Sequence, residues 1–332
     1  MLIHFFILLI ALIILVWSAD KFVYGASTLA RNFGISPMII GLTIVAMGSS
    51  APEMMVAATA SLHGNPNTAI GNAIGSNITN IALVLGITAL IKPLVVSSST
   101  IKQELPLILV LTVVAFWMLF DNNFTFIEGL ILMIGFFVFI GSLLIRALMQ
   151  RKKQCLDNSV EDDLMIAEAE QEIQEQSNPL ISLFWLIVGI ILLVGSSNYL
   201  VESAVFIAHT FGISDLVIGL TVIAVGTSLP ELAASIASVL KKEDDLAMGN
   251  IIGSNIFNIL AVLPFAGLIA PGAIDPEAGS RDAPVMIAIT LLLFVLCFSR
   301  HKSFFRITRL KGVLLLLSYI AYQILLFSQL TN

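Results

Sequence analysis

The chain has 332 residues, of which 58% are hydrophobic and only 11% charged, against roughly 25% charged residues in an ordinary soluble domain. So little charge cannot cover a water-exposed surface, which excludes a soluble globular fold, and the net charge of −6 speaks against nucleic acid as a partner. The two cysteines, Cys155 and Cys297, make neither a CxxC pair nor a disulfide framework, so a redox motif or thiolate metal centre has no basis.

Crossing a bilayer takes about 20 mostly apolar residues in a helix, because hydrocarbon offers no partner to a free backbone N–H or C=O. Ten such stretches follow one another, near residues 2–29, 36–62, 67–91, 104–120, 124–147, 180–208, 214–240, 245–269, 283–299 and 309–328. The first is apolar from Leu2 to Trp17 but lacks the basic start of a signal peptide and continues past Asp20 and Lys21, so it reads as a retained helix. Asp20 and Lys21 read as a local ion pair, and Glu202 in the sixth stretch as an interface residue.

Charge placement tests this division, because cytoplasmic loops carry the excess of Lys and Arg. With both termini outside, the loops after the odd-numbered spans are cytoplasmic and hold fourteen of the sixteen basic residues. Only Arg281 falls in an outside loop, and Lys21 lies within a span. A miscounted span would scatter these residues over both sides. Between Asp157 and Glu175 the chain carries eight of its twenty-two acidic residues without one Lys or Arg. This stretch reads as a solvated cytoplasmic linker with a short helix near 164–173. It shows no EF-hand spacing and is too short for a folded calcium sensor. Without it the chain has 16 basic against 14 acidic residues, a net charge of +2.

An internal repeat decides the architecture. Residues 41–53, GLTIVAMGSSAPE, recur at 219–231 as GLTVIAVGTSLPE, an offset of 178. The same offset carries 71–80, GNAIGSNITN, onto 249–258, GNIIGSNIFN, and 33–36, FGIS, onto 211–214. Chance likeness between apolar helices would match Leu and Ile, not Pro, Glu, Asn and Gly. The first copy falls in the second span and its equivalent in the seventh. Five spans apart is an odd number, so equivalent helices cross in opposite directions. The expected fold is an all-α membrane protein of ten transmembrane helices in two inverted-topology five-helix repeats, 1–147 and 180–332, joined by the acidic loop 148–179. Secondary transporters built this way bind their substrate at the bilayer midplane between the halves.

Glu53 and Glu231 lie in the middle of apolar helices, where a charge costs at least about 2.5–3.5 kcal/mol. The motifs hold no basic residue to pair with them, so a bound cation is the simplest neutralising partner. A protonated glutamate bonded to a neighbouring helix is the structural alternative. Pro52 and Pro230 have no N–H, which strips the carbonyls of Gly48 and Gly226 of their helical partners. The stretches 48–50 and 226–228 should therefore be kinked or unwound, offering carbonyls and hydroxyls beside each glutamate. Oxygen is the ligand type that Ca²⁺ and Na⁺ require. Asn72, Ser76 and Asn80, and likewise Asn250, Ser254 and Asn258, are spaced by four and share a helix face. Asn72 and Asn250 read either as ligands or as polar glue between helices; Asn80 and Asn258 read as ligands through their amide oxygens.

The paired GSSAPE and GTSLPE segments, each followed by GNxIGSNIxN, resemble the two alpha-repeats of the sodium/calcium exchanger branch of the cation/calcium exchanger superfamily. The resemblance covers essentially the whole membrane region. It implies a short prokaryotic-type member in a bacterial or archaeal cytoplasmic membrane. In such a fold helices 2, 3, 7 and 8 enclose the ions while long helices 1 and 6 slide across them. It also implies that Glu53 and Glu231 are shared Ca²⁺ and Na⁺ ligands with Asn80 and Asn258 beside them. Ser49, Ser50, Thr227 and Ser228 would be hydroxyl or carbonyl ligands, Ser76 and Ser254 flanking sodium ligands, and Ala46 and Ala224 backbone-carbonyl contributors. Some exchangers, including potassium-dependent ones, carry Asp where this chain has Asn258, which argues against potassium coupling and leaves two carboxylates rather than three.

The resulting expectation is an antiporter of Ca²⁺ against Na⁺, with no bound cofactor and no enzymatic activity. A proton-coupled cation exchanger is the main alternative; His4, His63, His209 and His301 all lie near predicted span ends, but a carboxylate can carry the proton. A membrane scaffold or uncoupled channel is disfavoured by the repeated carboxylates. An intramembrane enzyme is disfavoured because no HExxH, paired-Asp or nucleophile–His pattern is present. Oligomeric state is not legible.

Overall fold

The structure, a computed structural model, describes residues 2–33, 35–98, 100–157, 179–210, 224–297 and 305–330. The acidic stretch from 158 to 175 and the first five residues of the second GLT motif, 219–223, lie outside the described residues. Nearly every element is helical because apolar segments of this length can satisfy their backbone only internally.

Eight helices among the described residues are long and apolar enough to span a bilayer. They fall within α1 (Leu2–Phe33), α4 (Pro66–Ile91), α5 (Thr100–Leu119), α6 (Phe126–Asp157), α7 (Pro179–Thr210), α10 (Asp244–Ile269), α11 (Ala278–Cys297) and α12 (Arg309–Leu330). A further span is broken: α2 (Pro37–Ser49) and α3 (Ala51–Leu62) pass the same test together but bend by 47° at Ser50. Of the stretch expected at 214–240, the described part is α8 (Ala224–Thr227) and α9 (Leu229–Leu240). Among the described residues there are thus eight spans and a bent one, and residues 214–223 of the seventh expected stretch lie outside them.

Burial separates two populations. The most apolar window of α10 is 89% buried and that of α4 72%, whereas the other spans are 22–39% buried. The two asparagine-motif helices therefore form the interior. The outer helices instead turn Phe5, Phe6, Trp17, Trp117, Phe137 and Phe184 outward, the surface a lipid-facing bundle needs.

The offset of 178 recurs in local structure. Wide π-helical turns cover Asn80–Val84 in α4 and Asn258–Val262 in α10, and again Thr100–Glu104 in α5 and Ala278–Asp282 in α11. The latter pair each stop just before a proline, Pro106 and Pro284, where a missing N–H already disrupts the ladder. Short antiparallel pairs close the two ends of the bundle: β1 (Leu94–Val96) with β4 (Phe305–Ile307), and β2 (Asn123–Phe124) with β3 (Gly272–Ala273). At the first end Lys92 pairs with Asp244 at 3.2 Å, and Asp244 also accepts the Val95 N–H at 3.1 Å. The carboxylate thus sits at the positive start of α10.

The long helices α1 and α7 pack against each other and form, with parts of α2, α9 and α10, an apolar cluster separate from the main core. Their crossing depends on glycine. A Cβ on Gly25 would lie 2.5 Å from the Leu186 backbone N, and one on Gly189 would lie 2.7 Å from the Phe22 Cα. Asp20 on α1 does not pair with its neighbour Lys21: it meets Lys241 at 2.8 Å, while Lys21 lies over the Trp185 ring, 5.2 Å from its centroid. Adjacent helical residues point about 100° apart, which is why the local pair does not form. Glu202, expected at an interface, is exposed on α7. Because the α1 and α7 backbones touch at Gly189, Gly189→Val should force them apart. We expect a loss of about 1–3 kcal/mol, read as a lower melting temperature in detergent, whereas a valine at half-buried Gly141, where an added Cβ meets nothing within 4 Å, should leave it unchanged.

Candidate functional site

The two glutamates sit one turn after a helix break. Ser50 (φ −84°, ψ 7°) and Ser228 (φ −89°, ψ 4°) interrupt the chain between α2 and α3 and between α8 and α9, because Pro52 and Pro230 cannot donate to the preceding turn. Of the expected kink or unwinding, the structure has the kink: a one-residue break, with residues 46–49 and 224–227 still helical. Of the two freed carbonyls, that of Gly226 accepts the Ser197 hydroxyl from α7 at 2.9 Å. The residue 178 positions before Ser197 is Ala19, which has no hydroxyl to offer Gly48.

Glu53, Glu231, Asn80 and Asn258 are all completely buried. They are brought together crosswise: α3, carrying Glu53, packs against the turn that starts at Asn258, and α9, carrying Glu231, packs against the turn that starts at Asn80. The break that precedes Glu53 reaches Glu231 itself through the Ser50 hydroxyl. Close helix approach makes this possible, since α2 and α10 touch backbone to backbone at Gly249, whose Cβ would stand 2.7 Å from the Met38 carbonyl oxygen and 3.0 Å from the Gly41 Cα.

The hydroxyls and amides divide into two groups. Ser50 donates to Glu231 Oε1 at 3.0 Å and Ser254 approaches the same oxygen at 3.4 Å. Ser49 donates to Asn250 Oδ1 at 3.0 Å, and its hydroxyl also lies 3.4 Å from the Ala46 carbonyl. That carbonyl already accepts the Ser50 N–H at 3.0 Å. Asn72 and Asn250 act alike: Asn72 donates to the Glu53 carbonyl at 3.0 Å, and Asn250 lies 3.4 Å from the Glu231 carbonyl and donates to Ser235 at 3.1 Å. Of their two sequence readings, polar glue is the one this geometry matches. Each asparagine anchors the backbone of the glutamate in its own half. Ser76 is buried, Thr227 half-buried, and Ala224 opens α8.

The second group has no protein partner. Both carboxylate oxygens of Glu53, Oε2 of Glu231, both amide atoms of Asn80, Oδ1 of Asn258 and the Ser228 hydroxyl are buried without a hydrogen-bond partner among the described residues. Leaving one such group unsatisfied costs about 1–3 kcal/mol, and more for a charge. Most of these atoms are oxygens, and all belong to the four motif segments. No Lys or Arg among the described residues forms an ion pair with either glutamate. Such a donor set suits a hard cation. The sequence reading passed over Ser197, Ser235, Asn77 and Met286; the first two carry hydroxyls on apolar helix faces, a signal too common to single them out.

Residues 3–145 and 181–328 match the family described as sodium/calcium exchanger protein. The chain is 52% identical over 328 residues to CaxA of Alkalimonas amylolytica, covering 99% of this chain and 100% of that one. It is 32% identical to the sodium/calcium exchanger MaX1 of Methanosarcina acetivorans, covering 98% and 99%. Among solved structures, the sodium-calcium exchanger NCX_Mj soaked with zero Na⁺ and Ca²⁺ superposes with a TM-score of 0.79 at 32% identity, over 97% of this chain and 98% of that one. The buried oxygens of the doubled motif, the apolar bundle around them and these likenesses lead to one conclusion: the chain is an integral membrane protein of the sodium/calcium exchanger family.

Proposed function

We propose that the protein is a secondary antiporter that exchanges Ca²⁺ for Na⁺ by alternating access. The observation that carries this reading is the set of buried oxygens without a protein partner on Glu53, Glu231, Asn80, Asn258 and Ser228. Two carboxylates match the charge of one Ca²⁺, and neutral amide and hydroxyl oxygens fill out a coordination shell of six to eight oxygens. Na⁺ uses the same oxygens, so the two ions compete. Ser49, Ser50, Thr227, Ser76 and Ser254 flank the ions. Ala46 would add its carbonyl only when the turn it now bonds opens, and Ala224 is its equivalent in the second half.

In this reading the chain forms ten transmembrane helices in two inverted five-helix repeats, 1–147 and 180–332, with the loop 148–179 between them. Both termini lie outside and the loop is cytoplasmic. Supporting that orientation, Lys92, Arg306, Arg309 and Lys311 gather at the β1–β4 end, where Arg309 donates to Leu90 O at 3.1 Å and Lys311 to the Arg306 carbonyl at 2.8 Å. Acidic Asp121, Asp275 and Glu277 lie near the β2–β3 end. α1 and α7, with their own apolar cluster, are the elements suited to slide. The absence of a basic partner for the glutamates among the described residues favours a second reading, in which protons neutralise them and drive exchange.

Reconstituted protein separates the two. Calcium uptake into proteoliposomes should follow an imposed Na⁺ gradient and should not follow a pH gradient; the reverse result selects proton coupling. Glu53→Gln and Glu231→Gln should each reduce Na⁺-driven calcium uptake to background, a loss of at least about 100-fold given the cost of dehydrating a divalent ion without a compensating charge. Both variants should elute and melt like the parent, since removing a buried charge relieves desolvation.

A further inference from the structure

We propose that Asn77 and Met286 are positioning residues that turn the amide oxygen of Asn258 toward the ions and so select an amide, rather than a carboxylate, at that position. The inference rests on the reading of Asn258 as an ion ligand given above. A side-chain amide carries an acceptor oxygen on one side and a two-proton donor on the other, and only its hydrogen-bond network decides which way it faces.

Here the network has a fixed end. Asn77 Nδ2 donates to the Met286 sulfur at 3.4 Å, and Asn258 Nδ2 lies 3.4 Å from Asn77 Oδ1. A thioether has no proton and only accepts. Met286 therefore takes the nitrogen side of Asn77, which leaves the Asn77 oxygen for Asn258. That oxygen in turn takes the nitrogen side of Asn258, and Asn258 Oδ1 is left with no protein partner among the described residues. All three side chains are at most 2% exposed, so water does not compete for these bonds.

The other half of the repeat lacks the device. The residue 178 positions before Met286 is Ile108, which is buried and has no acceptor. Asn255, the counterpart of Asn77, donates to the Ile251 carbonyl of its own helix at 2.7 Å. Asn80, the counterpart of Asn258, has neither amide atom bonded among the described residues. Orientation is thus built into one half only. An aspartate at 258 would set its carboxylate against the Asn77 oxygen. Relieving that clash takes either a proton on the carboxyl, which removes its charge, or an inverted Asn77, which turns its oxygen onto the Met286 sulfur. The thioether in α11 thereby holds the site at two carboxylates.

The test is Na⁺-driven calcium uptake by reconstituted full-length protein carrying Met286→Leu, Met286→Gln, Asn258→Asp, Asn258→Ala or the double change Met286→Leu with Asn258→Asp. Met286→Leu keeps bulk but removes the acceptor, and should raise the half-saturating Ca²⁺ concentration roughly three- to tenfold with little change in maximal rate. Met286→Gln restores an acceptor of similar length and should stay near the parent. In the Asn258→Asp background, where both oxygens are equivalent, Met286→Leu should be neutral or improve affinity. An equal loss from Met286→Leu in both backgrounds, or a Leu variant that matches the parent while Gln does not, shows that Met286 only packs and overturns the proposal. If Asn258→Asp does not fold, the Leu and Gln variants decide alone. Unchanged calcium affinity in Asn258→Ala would instead remove Asn258 from the ligand set, a failure of the underlying reading whatever the Met286 variants do.

Discussion

Two carboxylates buried in an apolar bundle, with no basic side chain among the described residues paired to them, set the terms for the rest of this structure. An ionised carboxylate taken out of water loses several kcal/mol even after relaxation, and Glu53 and Glu231 are both fully enclosed. What surrounds them is a supply of dipoles. The helix breaks at Ser50 and Ser228 place each glutamate in the first turn of a helix, where backbone N–H groups favour negative charge. The wide turns beginning at Asn80 and Asn258 present amides to the same region, and Asn72 and Asn250 hold the glutamate backbones in place. Wide turns of this kind recur at functional sites in helices. The dipoles lessen the charge problem without removing it, and the remaining oxygens without partners are where a cation has most to gain.

The site is built from a doubled sequence but is not symmetric. Glu231 receives Ser50 and Ser254, while neither oxygen of Glu53 has a hydrogen-bond partner among the described residues. The inequality is written in part into side chains that differ between the two copies of the repeat. Ser197 holds the Gly226 carbonyl where Ala19 offers Gly48 nothing. Met286 stands where the first half has Ile108.

Much of this was open to reading along the chain because membrane burial makes polar residues conspicuous. Pro52 and Pro230 announce helix distortion by missing a donor, and the breaks fall two residues before each. Of the two expected forms, kinked or unwound, the first-half helix shows the kink, a 47° bend at Ser50, and helix continues to within one residue of each break because the distortion needs only one turn. Asp20 and Lys21 illustrate the opposite limit. Adjacency suggested a pair, whereas side chains about 100° apart on a helix reach different neighbours, here Lys241 and Trp185.

Composition, the spacing of apolar runs and the offset of 178 determined by themselves that this is a helical membrane protein with a doubled Glu–Asn motif, because hydropathy and intramembrane charge are local properties of the chain. Tertiary structure alone decided how the doubled motif is used. Whether Asn250 binds the glutamate backbone, whether Glu53 or Glu231 receives a serine, and which way the Asn258 amide faces depend on partners up to 209 residues away. Hydrogen bonds are directional and short, so a pattern that names the groups at a site leaves their pairing open until the helices have packed.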